Sequence, residues 1–260
     1  MKDTKIYKEV NSCSISADIY YQGRNSPVIL YIHGGALIFG ARSWLSSDQF
    51  EYFRRSGFSI VNIDYRLAPE TGFEDIIEDI KDAITWVRTK TIEWYDFDVS
   101  NIAVMGSSAG GYLSLLIGTI DIRPKVIDSL YTACQHVGDR EVTNGQWERF
   151  NYYLYCRQHG VWLKEVTGIN NEHDHTKLIQ YNPINNITVE FPPTIFLHGD
   201  QDTDVPYEQS VLMHKKLKEK GVATKLITIK GTEHVFDQNF SDLQVQNAFE
   251  NVIDYLITHL

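Results

Sequence analysis

Short continuous apolar runs alternate along the chain with longer segments in which apolar residues recur every three or four positions. The runs SPVILYIH at 26–33 and FSIVNIDYR at 58–66 have the length and continuity of buried strands. The segment at 73–90 places isoleucine and valine at helical spacing, with acidic residues early and basic residues late, as the helix dipole favours. This alternation predicts a mostly parallel sheet covered by helices on both faces.

The alternation continues through most of the chain. Further strands are predicted at 101–106, 125–133, 194–199 and 224–231, and further helices at 48–57, 109–120, 206–220 and 241–259. In an open parallel sheet, functional residues lie at the carboxyl ends of the strands. The loops that follow these strands are therefore the places to search for chemistry.

Composition excludes some classes of protein. Hydrophobic residues make up 43% and charged residues 22% of the 260 residues, which is an ordinary globular balance. The net charge of -10 argues against a nucleic-acid binder, which needs a basic face. We expect no secretory signal and no membrane span, because no apolar run is long enough. Three cysteines without CxxC spacing fit a reducing compartment, so we expect a cytoplasmic protein.

The motif GSSAG at 106–110 fits G-x-S-x-G between a predicted strand and a predicted helix. A nucleophile on such a tight turn is lifted clear of the sheet, and the positions two before and two after it must be small. That register selects Ser108 as the nucleophile and leaves Ser107 to local hydrogen bonding. The alternative is a serine that only caps the following helix, and the rest of the site has to decide between the two.

A serine nucleophile needs a general base and an acid that orients the base. In a strand-turn-helix nucleophile context, the chain order is serine, acid, histidine. Asp200, Asp202 and Asp204 all follow the predicted strand at 194–199, and His234 lies in a short polar loop after the last predicted strand. We expect His234 to be the base and one of the three aspartates to be the acid.

The other histidines fit less well. His33 and His198 lie at strand ends but in the wrong order along the chain. His173 and His175 have a spacing that suits a metal, but two ligands without a third are a weak signal. We therefore expect neither a metal nor an organic cofactor.

An oxyanion hole needs backbone N–H donors that face the substrate carbonyl oxygen. Ala109, directly after the nucleophile, is one expected donor. Gly34 and Gly35, in the loop after the strand at 26–33, are the others, since glycine lets the backbone approach closely and adopt positive φ.

Four segments together resemble the α/β-hydrolase superfamily. YIHGGALIFG at 31–40 is similar to the oxyanion segment of lipases and carboxylesterases, and DYRLAPE at 64–70 to a segment of the hormone-sensitive-lipase-like and feruloyl-esterase-like branches. HGDQDTDVP at 198–206 resembles the acid loop of the prolyl-oligopeptidase and dienelactone-hydrolase relatives, and EHVF at 233–236 their histidine loop. The resemblance runs from roughly residue 25 to the end, apart from an irregular segment, and it places the catalytic acid at Asp202.

Two departures locate the chain within this superfamily. Ser107 stands where the hormone-sensitive-lipase branch usually has aspartate, and that branch's D-P-x-x-D acid loop is missing. We therefore expect the chain to lie nearer the small esterase and peptidase-like branch, without the propeller domain of the prolyl oligopeptidases, which disfavours a hydrolase of large peptides. The resemblance further implies that Asp64, Arg66 and Glu70 support the oxyanion loop and are not catalysts.

Residues 135–190 interrupt the alternation of strands and helices. A connection of this length is functional or disordered, and its aromatic content argues for order. The stretch at 145–160 has helical length. We therefore expect a hydrolase core at 1–134 and 191–260, with a helical cap at 135–190 that covers the nucleophile and lines an acyl or aromatic pocket.

The predicted function is that of a serine carboxylesterase that cleaves small or short-chain esters through an acyl-enzyme. An amide hydrolase, such as an arylformamidase or a small peptidase, is the nearest alternative, and a non-catalytic binding protein on the same fold is a more distant one. We expect a small-molecule ester as partner, with no nucleic acid. The oligomeric state stays open, and a homodimer is one expectation.

Overall fold

The fold is built around a single twisted sheet of eight strands in the part of the chain that the structure describes. The computed structural model describes residues 2–131, 146–169 and 179–260. The strand order is β1-β2-β4-β3-β5-β6-β7-β8. The strands are β1 Lys2–Val10, β2 Cys13–Tyr20, β3 Ser26–Ile32, β4 Ser59–Ile63, β5 Phe97–Ser107, β6 Val126–Leu130, β7 Thr194–Gly199 and β8 Thr224–Ile229.

The strands β4, β3, β5, β6, β7 and β8 pair in parallel in that order across the sheet. β2 pairs antiparallel with β4, and β1 pairs antiparallel with β2. The strands β1 and β2 form a hairpin that the sequence pattern did not predict. Asn11 and Ser12 connect them with φ values of 49° and 64°, which is the left-handed pair that a type I′ hairpin turn requires. The hairpin extends the sheet beyond β4. The candidate site residues lie instead at the ends of the parallel strands.

Seven α-helices lie within the described ranges. They are α1 Ser47–Arg55, α2 Phe73–Thr89, α3 Ala109–Ile117, α4 Gln146–Gln158, α5 Trp162–Thr167, α6 Glu208–Glu219 and α7 Leu243–His259. The predicted helices differ from these only at their ends, by up to three residues.

Both faces of the sheet are buried, as the continuous apolar strands predict. In β5, Ile102 and Val104 pack on the side of α2 and α3, whereas Ala103 and Met105 pack on the side of α1 and α7. On the face that α2 and α3 cover, α6 packs over β6 and β7. The predicted class, a mostly parallel sheet with helices on both faces, is confirmed.

The segment expected to form a cap is described in part. Its helices α4 and α5 pack against the cluster that contains the loop after β3. His136, His173 and His175 lie outside the described residues, so the expectations about them are not addressed, and the division into core and cap stays a prediction. None of the helices in the described ranges combines the length and the apolar character that crossing a bilayer requires.

Candidate active site

Ser108 lies at an abrupt joint between β5 and α3. Its backbone has φ 58° and ψ -122°, a combination that side chains with a Cβ avoid and that costs of order 1–3 kcal/mol. The turn is held because the Ser108 N–H donates to the carbonyls of Leu130 (3.0 Å) and Tyr131 (2.6 Å) at the end of β6. The protein thus sustains a strained serine at the carboxyl edge of its sheet.

The small residues around Ser108 are required by close backbone contacts. A methyl group on Gly106 would overlap the carbonyl of Gly110, and one on Gly110 would overlap the carbonyls of Ile32 and His33. These contacts confirm the reason given for the G-x-S-x-G spacing: strand, turn and helix approach too closely for any side chain.

The two adjacent serines have different environments. The Ser107 hydroxyl shares a hydrogen bond of 3.0 Å with the Tyr31 hydroxyl, which is the local role expected for it. Ser108 occupies the position before α3, but its side chain makes no capping hydrogen bond to that helix. A capping role for Ser108 is therefore excluded by the geometry.

The base and the acid expected from sequence lie in direct contact. His234 Nδ1 is 2.6 Å from Asp202 Oδ2, and the His234 and Asp202 side chains are 4% and 0% exposed. The other oxygen of Asp202 accepts the backbone N–H groups of Asp204 and Val205, both at 2.9 Å. Asp202 is thus fixed through both oxygens and can orient the imidazole of His234.

The electrostatic environment keeps Asp202 ionised. Burial favours the neutral acid, but the hydrogen bonds from His198 and His234 outweigh it and hold the pKa of Asp202 well below its ordinary value. An ionised carboxylate beside His234 favours the tautomer with its proton on Nδ1, which leaves Nε2 as the basic nitrogen.

The other two aspartates of the acid loop have structural partners. Asp200 accepts the backbone N–H of Gly231 at 2.7 Å, which ties the loop after β7 to the end of β8. Asp204 forms an ion pair of 2.6 Å with Arg157 of α4. Among the three candidates, Asp202 is the one that the structure brings to His234.

The hydrogen bond expected between Ser108 and His234 is not formed among the described residues. His234 Nε2 is buried and has no hydrogen-bond partner there. The two residues are linked instead through Tyr131, whose carbonyl accepts the Ser108 N–H and whose ring packs edge-on against the His234 ring at 4.8 Å. Catalytic hydrogen bonds are often long in ligand-free sites and tighten when the substrate binds.

The loop after β3 lies directly against the nucleophile. A methyl group on Gly34 would sit 2.9 Å from Ser108 Cβ and 3.4 Å from its Oγ, so only glycine fits. Gly35 follows with φ 113°, and its carbonyl accepts the N–H groups of Ile38 and Phe39, both at 2.9 Å. The loop thereby folds back tightly beside the hydroxyl of Ser108.

The third expected donor, Ala109, begins α3, where N–H groups have no intrahelical partner. It lines the same cavity as Ser108. The structure therefore places Gly34 against the side chain of Ser108 and Ala109 directly after Ser108 at the start of α3, with Gly35 next in the loop.

Residues of the β3 and β4 ends hold this loop in place. The His33 ring stacks on Tyr65 at 4.2 Å, and its Nδ1 lies 2.6 Å from the Gly34 carbonyl. Burial lowers the pKa of His33 to about 4, so the imidazole is neutral near pH 7 and donates through Nδ1–H. Ala68 donates its N–H to the Leu37 carbonyl at 2.8 Å.

The charged residues of the DYRLAPE segment have structural contacts. Asp64 accepts the Arg42 backbone N–H at 2.9 Å, just beyond the loop. Arg66 forms two hydrogen bonds of 2.8 Å with the buried Asp79 of α2. Glu70 forms an ion pair of 3.0 Å with Arg149 of α4. These contacts agree with the supporting role expected for Asp64, Arg66 and Glu70.

The helices α4 and α5 bind the loop after β3 with side-chain hydrogen bonds. Trp162 Nε1 donates to the Ala36 carbonyl at 3.0 Å, and Arg149 donates to the carbonyls of Ile38 (3.0 Å) and Ala68 (3.2 Å). The sequence analysis did not predict these hydrogen bonds. The local pattern of α4 and α5 does not indicate which carbonyl groups the side chains of Arg149 and Trp162 contact.

Ser108 opens into a mostly apolar cavity of about 590 Å³. A second cavity of about 530 Å³ adjoins it and shares Leu37, Tyr112, Trp162, Leu163 and Gln209 with the first. Trp162 and Leu163 of α5 therefore line both apolar spaces, of which one reaches Ser108. Within the described ranges, no three His, Cys, Asp or Glu side chains gather into a set that could hold a metal ion.

With this geometry established, comparisons with known proteins assign the family. The family model BD-FAE matches residues 17–146, half of the chain, and the prolyl oligopeptidase family model matches residues 141–260. The chain belongs to the BD-FAE family of carboxylesterase-like α/β-hydrolases. The two matches overlap at residues 141–146, so Gly34 and Ser108 fall in the first and Asp202 and His234 in the second.

Curated relatives of this BD-FAE chain include two esterases of Mycobacterium tuberculosis. Esterase LipC is 27% identical over 218 residues, covering 82% of this chain and 53% of the relative. Esterase LipQ is 28% identical over 224 residues, covering 83% and 51%. The non-reducing polyketide synthase stbA of Stachybotrys bisbyi is 25% identical and covers 90% of this chain. The chain spans about half the length of these esterases and 14% of that synthase.

Solved structures of Thermogutta terrifontis esterase 2 have the same α/β-hydrolase fold as this family member. The form phosphonylated by sarin is 21% identical with a TM-score of 0.76, and the butyrate-bound form is 22% identical with a TM-score of 0.76. Each alignment covers 99% of this chain and 94% of the esterase.

Proposed function

We propose that this chain is a serine carboxylesterase that hydrolyses small or short-chain carboxylic esters. The observation that carries the proposal is Ser108 itself, held at φ 58° before a helix that it does not cap. Strain of this kind persists only where the surrounding structure enforces it, and it clusters at active sites. The contact between His234 and Asp202 at the neighbouring strand ends supports the same function.

In the proposed mechanism, Ser108 Oγ attacks the ester carbonyl while His234 Nε2 takes the hydroxyl proton. Nε2 has no hydrogen-bond partner in the described part of the chain, so it can accept this proton once substrate binding brings the ring and the hydroxyl together. Asp202 stabilises the imidazolium that forms, and N–H groups from Gly34, Gly35 and Ala109 bind the oxyanion. His234 then returns the proton to the leaving alcohol.

The second half of the reaction hydrolyses the acyl-enzyme. Water attacks the acyl carbonyl while His234 accepts a proton from it, and Ser108 leaves as the free hydroxyl. An apolar cavity of about 590 Å³ beside the serine suits a modest acyl or aromatic group. The names of the similar proteins support ester substrates: two are esterases, and a third is an esterase with butyrate bound.

Labelling with a fluorophosphonate probe tests the nucleophile. The wild-type chain is expected to react covalently, Ser108→Ala is expected not to react, and Ser107→Ala is the matched control that retains labelling. Mass spectrometry locates the adduct. Labelling that survives in Ser108→Ala and vanishes in Ser107→Ala would refute the assignment, and so would an unreactive wild-type protein.

A hydrolase of amides is the second candidate, because the prolyl oligopeptidase family model matches residues 141–260. A panel of nitrophenyl esters of increasing acyl length, measured beside formyl amides and peptide amides, separates the two functions. We expect kcat/KM to be highest for a short ester. A higher kcat/KM on an amide than on any ester would contradict the esterase proposal and support an amide hydrolase.

We also propose that residues 135–190 form the cap of the active site. Its described part contributes Trp162, which binds the oxyanion loop, and Leu163, which lines both cavities. Leu163→Ala removes side-chain volume that lines both spaces, so we expect the preferred acyl chain to become longer. Val189→Ala, in the same segment but 77% exposed, is the control. An unchanged chain-length profile in folded Leu163→Ala would contradict the role of α5.

Two further parts of the proposal concern the whole protein. We propose a cytoplasmic location, and the oligomeric state stays open with a homodimer as one candidate. Cell fractionation tests the first and sedimentation of the purified protein tests the second.

A further inference from the structure

The carboxylate of Asp202 has a second histidine bound to it that the proposed mechanism does not use. His198, at the end of β7, is completely buried. Its Nε2 lies 3.1 Å from Asp202 Oδ2, the same oxygen that accepts His234 Nδ1 at 2.6 Å. Two imidazoles therefore share one carboxylate oxygen.

The contacts of His198 fix where its proton lies. Asp202 and the Val205 carbonyl, at 3.2 Å from Nε2, are both acceptors, so Nε2 carries the hydrogen. The other nitrogen, Nδ1, lies 2.7 Å from the Ser210 hydroxyl of α6. A neutral His198 accepts the Ser210 O–H at Nδ1 and donates through Nε2. The hydroxyl of Ser210 thus selects the tautomer that can hold Asp202.

We propose that His198, set by Ser210, is a positioning residue that tunes the acid of the active site; this inference rests on the proposed function. Its N–H bond holds Asp202 against His234 and withdraws negative charge from the oxygen that His234 contacts. A carboxylate oxygen that carries less negative charge stabilises the imidazolium form of His234 less. His198 thereby weakens the charge interaction between Asp202 and a protonated His234.

The remaining titratable groups packed around the histidines and Asp202 do not supply this effect. The Tyr207 ring contacts the His198 ring edge-on at 5.7 Å. The Tyr131 ring lies against His234, and its hydroxyl bonds Asp237. Asp204 is neutralised by Arg157 of α4. Apart from His234, His198 is the one group named here whose side chain forms a hydrogen bond with Asp202.

The test is the pH profile of kcat/KM on a short nitrophenyl ester for His198→Leu, His198→Gln and Ser210→Ala. Without the Nε2–H donor, we expect the midpoint of the acidic limb to move to higher pH by about 0.5 and kcat to fall about 10-fold as Asp202 loosens. His198→Gln offers an amide N–H in place of Nε2–H and restores the wild-type midpoint. His214→Leu, a half-buried histidine elsewhere on α6, is the control without effect.

Two readouts separate this inference from the proposed function. Fluorophosphonate labelling of the wild-type chain reports on the function, whereas the midpoint of the acidic limb reports on His198. An unshifted midpoint in folded His198→Leu overturns the inference even when labelling is intact. If His198→Leu fails to fold, Ser210→Ala decides: an upward shift of the midpoint supports the inference, and an unchanged midpoint overturns it.

Discussion

Asp128 is a buried acid whose replacement gives a stability prediction that can be worked from the structure. It lies on β6, is completely buried, and neither carboxylate oxygen has a hydrogen-bond partner in the described part of the chain. Burial, followed by the charge of Asp237, raises the pKa of Asp128 from 3.8 to about 8. We therefore expect Asp128 to hold a proton in the folded protein at neutral pH.

The magnitude follows from proton linkage. Between pH 4 and pH 8 the folded state binds a proton at Asp128 that the unfolded chain releases, so the free energy of unfolding falls as pH rises. The slope approaches about 1.4 kcal/mol per pH unit. Asp128→Asn does not titrate and loses this slope. From pH 5 to pH 7, its free energy of unfolding should therefore gain about 3 kcal/mol relative to wild type.

Urea denaturation of both proteins at pH 5, 6 and 7 measures this difference. The unpaired amide of Asn adds a cost of about 1–3 kcal/mol that does not depend on pH, so it cancels when the three pH values are compared. Asp121→Asn, at an exposed position, controls for the loss of one charge and should track wild type. A constant difference between Asp128→Asn and wild type across the three pH values would show that Asp128 is ionised when folded, and the reasoning would fail.

Three further predictions concern the site. Asp202→Asn should lower kcat on a nitrophenyl ester by about 10⁴-fold, because the amide no longer holds His234 in the required tautomer. Asp200→Asn, at a carboxylate that accepts the Gly231 N–H, should keep kcat within a few-fold of wild type. Equal losses in the two variants would contradict the choice of Asp202 as the acid. Gly34→Ala places a methyl group 2.9 Å from Ser108 Cβ and should lower kcat about 10²-fold. Circular dichroism should show that the fold is intact. Full activity would mean that the loop after β3 does not face Ser108. Trp162→Phe removes the hydrogen bond to the Ala36 carbonyl and should lower the free energy of unfolding by about 1 kcal/mol, measured by thermal unfolding. An unchanged melting temperature would show that this hydrogen bond does not stabilise the protein.

The sequence was sufficient for those features that depend on local pattern. Continuous apolar runs and helical spacing placed β3 to β8 and the main helices to within a few residues. The register of G-x-S-x-G selected Ser108, because small neighbours are a local requirement of the turn. The hairpin of β1 and β2 was missed, since KDTKIYKEV at 2–10 is largely polar and Tyr7 is its one buried residue, so this edge strand shows no apolar pattern.

The acid shows where local pattern stops. Asp200, Asp202 and Asp204 alternate within five residues of one loop, so composition and spacing treat them alike, and a family resemblance was needed to prefer Asp202. The folded loop separates them: one bonds the end of β8, one pairs with α4, and one faces His234.

The tertiary structure alone decided the partners of polar atoms from distant segments. Sequence reasoning set His198 aside on chain order, yet packing of β7 against α6 brings it to both Asp202 and Ser210. The bond of Trp162 to the oxyanion loop spans 126 residues. Periodicity determines which face of a helix or strand is buried. A hydrogen bond between two elements depends instead on the distance between donor and acceptor atoms after the elements have packed. No short stretch of sequence determines that distance.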